Sequence, residues 1–252
     1  MSRGKIKSMK SLVIAGALAL ALVACAAPEG RAPVPQPSGW KAVMIAGDDQ
    51  EPAFDNAVDA MSDKLAGFGV KRADMTVLKA TARDGHRATS RAIRDAFEDL
   101  RLADGDGCFV YVTSHGMPRR GLVLKAAHGF LGPADLNRLL LGSCASRPTV
   151  VIASGCFSGA FALDLAAPNR VVITAAREDR PSFGCNAGLK LTFFDQCLLD
   201  SIDKGAPWPA VMDKTRACVT ANEGKMGVPA PSVPQLSIGT EAAGLAAFAR
   251  GP

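Results

Sequence analysis

Residues 149–159 read TVVIASGCFSG, and residues 108–116 read CFVYVTSHG. Each opens with an apolar or β-branched run that does not alternate with polar residues. That is the pattern of a strand buried on both faces, as in a parallel sheet covered by helices. Each run then breaks into small residues and presents one chemically competent side chain, His115 in the first and Cys156 in the second. Outward from this pair the chain keeps alternating. Strands are expected at 42–46 (AVMIA), 75–78, 170–174 (RVVIT) and 235–238, with a short extended piece at 122–124. Helical spacing of Phe54, Val58, Met61, Leu65 and Phe68 predicts a helix over 54–68. Ile93, Phe97 and Leu100 predict one over 88–102. Residues 133–141 begin with Pro133, favoured in a first helical turn, and a further helix is expected over 189–202. Strand and helix in turn mean an α/β fold with a parallel sheet and helices on both faces.

In such sheets the ligand site lies off the carboxyl ends of the strands, which is where both motifs fall. A His and a Cys on neighbouring strand ends can meet across one crevice although they are 41 positions apart in sequence. Gly116 leaves the backbone N–H beside the His unshielded. Gly155 and Gly159 permit a tight strand-to-helix turn, and a helix N-terminus beside the Cys would favour a thiolate and a developing oxyanion. His86 and His128 sit among polar or Gly-flanked residues and read as surface positions. Three scattered His with no C-x-x-C or H-E-x-x-H spacing give a metal no ligand set, so neither metal nor cofactor is expected.

The strand–His–Gly and strand–Gly–Cys pair resembles the clan of caspases, legumains and gingipains, and within it the legumain (C13) cysteine peptidases. The segment from Thr174-Ala175-Ala176 to Ser182-Phe183 is similar to that family's Thr-Ala-Ala segment running into a Ser and an aromatic. The resemblance covers nearly the whole domain. It implies a caspase-like three-layer α/β/α sandwich with a mostly parallel sheet, and hydrolysis of peptide or protein substrates. Cys156 would be nucleophile and His115 acid/base, with the N–H groups of Gly116 and Cys156 as oxyanion hole. Where legumains carry a catalytic Asn and a basic pocket residue, this sequence has Ala53 and Asp55, and Phe157 replaces an acidic residue beside the nucleophile. The preference for Asn therefore does not carry over, and the Phe54-Asp55-Asn56 run suits the bacterial branch. Asp55, Asp179 and Ser182 are the candidate substrate-binding residues. Two carboxylates in the pocket would favour Arg or Lys at P1, whereas the other reading makes Asp55 a first-turn acid of its helix. A transamidase or ligase on the same dyad, and a non-catalytic surface lipoprotein using the fold as a binding module, are the alternatives.

The net charge of +5 invites a nucleic-acid reading until the charge is located. Four of the 29 basic residues (Arg3, Lys5, Lys7, Lys10) precede an apolar stretch ending at Cys25, leaving 25 basic against 24 acidic residues beyond it. The body is close to neutral and holds no long basic run, so nucleic acid is excluded as a partner. Residues 1–25 read as an export signal whose Leu22-Val23-Ala24-Cys25 end resembles a lipobox. Lipid on Cys25 would anchor the protein to a membrane that it does not span. Ala26 in place of Asp implies the outer membrane, periplasmic side, in a Gram-negative envelope. Residues 26–39, with Pro28, Pro33, Pro35 and Pro37, form an expected stiff tether, and 40–252 the peptidase domain. Of the other cysteines, 108, 144, 185, 197 and 218, some are expected to pair in an oxidising compartment. An odd count leaves at least one over, and Cys108 reads as a plain core thiol.

Overall fold

The central strands carry apolar side chains on both faces, and period-two alternation sends successive residues to opposite sides. In the computed structural model, which describes Met1 and residues 32–83, 85–185 and 188–249, that alternation divides the core into two. The leader and the lipobox with Cys25 lie outside the described residues. In chain order the elements are β1 (Gly39–Ala46), α1 (Pro52–Gly67), β2 (Met75–Lys79), α2 (Ser90–Glu98), β3 (Asp106–Thr113), β4 (Gly116–Met117), β5 (Gly121–Leu124), β6 (Gly129–Leu131), α3 (Pro133–Ser143), β7 (Thr149–Ser154), α4 (Gly159–Asp164), β8 (Arg170–Thr174), α5 (Phe193–Ser201), α6 (Trp208–Met226) and β9 (Gln235–Ile238). The main sheet runs β2-β1-β3-β7-β8-β9, with every pair parallel except β8 with β9. Met44, Phe109, Tyr111, Ile152 and Ile173 face one layer with α1, α5 and α6. Their strand neighbours Ile45, Val110, Val112, Val151 and Val172 face the other, with α2, α3 and α4. This is a caspase-like α/β/α sandwich.

The register of β3 against β7 decides the site. Cys108 pairs with Thr149 and Thr113 with Ser154, so the two strands are offset by the same 41 positions that separate His115 from Cys156. Both residues therefore lie two positions past one rung. A small antiparallel sheet, β4-β5-β6, covers this end. It holds the His115 backbone through the Val123 N–H, which donates to the His115 carbonyl at 2.8 Å, and the Ser114 hydroxyl donates to the Val123 carbonyl at 2.8 Å.

Three sequence expectations change. The longest helix, α6, had no sequence signal. Its buried stripe runs Trp208, Val211, Met212, Thr215, Val219, Glu223, so two polar residues interrupt the apolar period. Cys108 is not a plain core thiol. It is bonded to Cys144, the residue that ends α3 (Cα–Cα 6.0 Å), and Cys197 of α5 is bonded to Cys218 of α6 (5.6 Å). Chain-entropy arguments assign each bridge about 3–4 kcal/mol. The folded body also reaches back into the expected tether. The Val34 N–H donates to the Glu241 carbonyl at 2.8 Å, Gln36 bonds Gly244 and Ala246, and Pro37 is buried.

Candidate active site

Past the Thr113–Ser154 rung the two chains nearly touch. A Cβ built on Gly116 would lie 1.9 Å from the Cys156 carbonyl oxygen and 3.0 Å from its nitrogen. Gly155 is also confined, less severely, with the Ser114 carbonyl 2.6 Å from its would-be Cβ. Gly116 is thus required by backbone proximity, and the approach brings its N–H beside that of Cys156. Because the Val123 N–H already bonds the His115 carbonyl, Gly116 and Leu122 form a non-hydrogen-bonded pair, and the Gly116 N–H points away from β5. Its direction leaves it open to an incoming acceptor on the side away from β5.

Phe54 on α1 sets the His115 ring. The two rings meet edge to face, 5.0 Å between centroids at 89°. On the sequence Phe54 was one apolar position of a helix stripe, indistinguishable from a core residue. Phe157 follows Cys156 with φ of +59°, a left-handed conformation that β-unbranched residues tolerate at some cost, and its N–H donates to the Arg180 carbonyl at 2.8 Å. The turn 156–158 leads into α4, which starts at Gly159, so Cys156 does not sit in the first turn of that helix. A Cβ at Gly159 would meet the Glu178 nitrogen at 2.2 Å, and the Ser158 hydroxyl accepts from the Ala176 N–H at 3.2 Å. The Thr-Ala-Ala segment thereby holds the turn that carries Cys156 from behind.

The expectation of a thiolate favoured by a helix dipole is corrected. Burial pushes the Cys156 thiol up, opposed in part by the Ser182 backbone. The Sγ accepts from the Ser182 N–H at 3.2 Å and donates to the Ser182 carbonyl at 3.3 Å. Only a protonated sulfur can make the second contact. Around it a crevice of about 20 Å³, room for roughly one water, is lined by Phe54, Ser114, His115, Ser154, Gly155, Cys156, Ser182, Phe183, Cys185 and Thr192. Cys185 keeps a free thiol there, also pushed up, first by burial and then by Cys156.

Cys156, His115 and Ser182 are brought together. Asp55 and Asp179 are not among the residues that line this crevice. Asp55 lies in the first turn of α1, where its Oδ2 accepts from the Thr81 hydroxyl. Asp179 is exposed and held in two hydrogen bonds by Arg177, each 2.6 Å, which lower its carboxyl below the usual range. The Arg177 N–H in turn donates to the Ser232 carbonyl at 2.8 Å.

A Cys and a His two residues past one rung of a parallel sheet, within this sandwich, form the arrangement expected of a caspase-like cysteine peptidase. The Peptidase C13 family model matches residues 90–204, a stretch that contains both strand-end motifs and the Thr-Ala-Ala segment. Over that stretch the chain is similar to the C13, or legumain, cysteine peptidases. No curated protein matches the chain.

Proposed function

We propose that this protein is an exported cysteine endopeptidase with Cys156 as nucleophile and His115 as its acid and base. The observation that carries the reading is the shared rung: His115 and Cys156 each follow the Thr113–Ser154 pair by two residues and line one crevice. As a scissile carbonyl approaches, the Sγ–H proton passes to the His115 imidazole while sulfur bonds the carbonyl carbon. The carbonyl oxygen takes the electron pair and faces the N–H groups of Gly116 and Cys156. Collapse expels the amine, which takes its proton from His115. Water, deprotonated by the same imidazole, then cleaves the thioester and restores the thiol. A resting sulfur that is protonated and bonded to Ser182 couples activation to substrate arrival, since the substrate must displace that contact.

The test is labelling with a library of electrophilic peptides, comparing wild type with Cys156→Ala and His115→Ala. A single adduct on Cys156, lost in the first variant and strongly slowed in the second, is expected. Peptide cleavage by Cys156→Ala at the wild-type rate refutes the reading. Two disulfides support an oxidising destination, in keeping with the leader. Lipidation of Cys25 predicts a mature N-terminus that carries acyl mass, which intact-mass analysis of the membrane fraction measures. An unmodified N-terminus there rejects the anchor.

A further inference from the structure

Beneath the crevice lies a carboxyl group that the proposed chemistry does not use. Asp195, at the start of α5, is 1% exposed. Its Oδ1 accepts from the Tyr111 hydroxyl at 2.7 Å, and its Oδ2 accepts from the hydroxyls of Thr113 at 3.0 Å and Thr192 at 2.8 Å. The Ser154 hydroxyl also interacts with it. Thr192 caps α5 by accepting the Asp195 N–H at 3.0 Å and itself lines the crevice. Thr113 and Ser154 are the rung partners that end β3 and β7. A single carboxyl group is therefore tied to both strand ends that carry the dyad and to the residue that starts the neighbouring helix.

Burying a carboxyl in a sheet core costs far more than burying a Leu of similar size, unless every oxygen is satisfied. Burial pushes the Asp195 carboxyl up, and the hydroxyls around it pull the other way; the Tyr111 phenol beside it is pushed up as well. What the arrangement gives in return is direction. Apolar packing tolerates small sliding of one strand past its neighbour, whereas a carboxyl that accepts from Tyr111 and Thr113 of β3 at 2.7–3.0 Å and also from the Ser154 hydroxyl of β7 fixes their relative height. Residues that follow a rung by two positions inherit any error in it.

We infer that Asp195 is a positioning residue for the Cys156–His115 pair, locking the carboxyl ends of β3 and β7 at the height that lets thiol and imidazole meet. The inference rests on the dyad proposed above. It does not touch substrate, so its loss acts on the chemical step. Asp195→Asn keeps the shape but replaces one acceptor oxygen by a donor, so one oxygen can no longer receive the Thr113 and Thr192 hydroxyls. A misplacement of about 1 Å at reacting groups is worth up to roughly 10²-fold. The expected result is a kcat about ten- to hundred-fold lower, KM within about twofold, and a matching drop in the rate of Cys156 labelling by an electrophilic peptide. Tyr111→Phe and Thr113→Val, each removing one hydroxyl with little change of shape, should lower kcat by smaller factors. Neither should add its full factor to Asp195→Asn, because all three act through one carboxyl group.

These two hydroxyl variants decide the matter if Asp195→Asn does not fold. A lowered melting temperature with unchanged kcat in the folded fraction of the variants overturns the inference and leaves Asp195 a stability residue. If Cys156→Ala retains activity, the dyad reading itself has failed, an outcome distinguishable from the first.

Discussion

Replacing Gly116 by Ala is the sharpest test of how closely the two strand ends approach. The added Cβ would lie 1.9 Å from the Cys156 carbonyl oxygen, whereas real Cβ contacts essentially never fall under 3.0 Å. One backbone must retreat by at least the difference, 1.1 Å, and neither is a flexible side chain that can rotate aside. That retreat separates the Gly116 and Cys156 N–H groups, which the proposed mechanism needs as a pair, and shifts His115 next to them. Misplacement on this scale costs about 10²-fold, or roughly 2.7 kcal/mol of transition-state stabilisation. Removing one oxyanion-hole donor in other enzymes has a similar effect, about 10²–10³-fold in kcat. Gly155→Ala is the graded comparison. Its Cβ would meet the Ser114 carbonyl at 2.6 Å and the movable Leu122 Cδ2 at 2.5 Å, so a shift of about 0.4 Å from the backbone contact suffices. Gly142→Ala on α3, with nothing within 4 Å, is the control. It should stabilise by about 0.5–1 kcal/mol and leave turnover alone. Steady-state kinetics with active-site titration, and melting curves for each variant, give the ranking. Gly116→Ala at the wild-type kcat, or less impaired than Gly155→Ala, refutes the argument that backbone proximity is why this position is Gly.

Three further outcomes follow from the same geometry. Asp55→Asn should lower stability by about 0.3–1 kcal/mol, as loss of a first-turn acid does, and leave the P1 profile unchanged; a collapse of Arg/Lys cleavage would return Asp55 to the pocket. Because burial raises the Cys156 thiol, alkylation of the free enzyme by iodoacetamide should have its midpoint above the ordinary thiol value of about 8.5. The linkage sign agrees: a folded pKa above the unfolded one gives stability that is present below the unfolded pKa and lost as pH rises through the folded one. Cys156→Ala should therefore flatten the alkaline fall in melting temperature, and a midpoint at or below 8.5 rejects the buried-thiol picture. Cys144→Ser should cost about 3–4 kcal/mol, measured by denaturant melts, while an unchanged midpoint would mean that Cys108 and Cys144 are not bridged.

The sandwich was legible because its strands are buried on both faces, and runs such as TVVIA and RVVIT carry that signal without help from neighbours. Helix α6 was not, because its inward face includes Thr215, whose hydroxyl donates to the Val211 carbonyl at 2.8 Å. It also includes Glu223, whose carboxylate accepts from the Ser232 N–H at 3.2 Å. Thr215 is satisfied within its own helix and Glu223 by the segment that follows it, so both polar residues are acceptable inside, and hydrophobic periodicity registers neither partner. The same limit explains the site. Cys156 and His115 stood out as candidates because chemistry-bearing residues at strand ends are visible one strand at a time. Asp55 admitted two readings because an acid in a first helical turn and an acid lining a pocket have the same local sequence. Asp195 stayed hidden because its meaning lies in Tyr111, Thr113, Ser154 and Thr192, which come together only through the register of the sheet. That register was half-written in the sequence. The gap of 41 between His115 and Cys156 equals the offset of β3 against β7, and in a parallel sheet equal overshoot past equal offset puts two residues on one level. A gap alone could not say so, since either loop might have been longer, but once the strand limits at Thr113 and Ser154 are known the level follows. The carboxyl group that holds those two limits together is then the point through which the spacing is enforced.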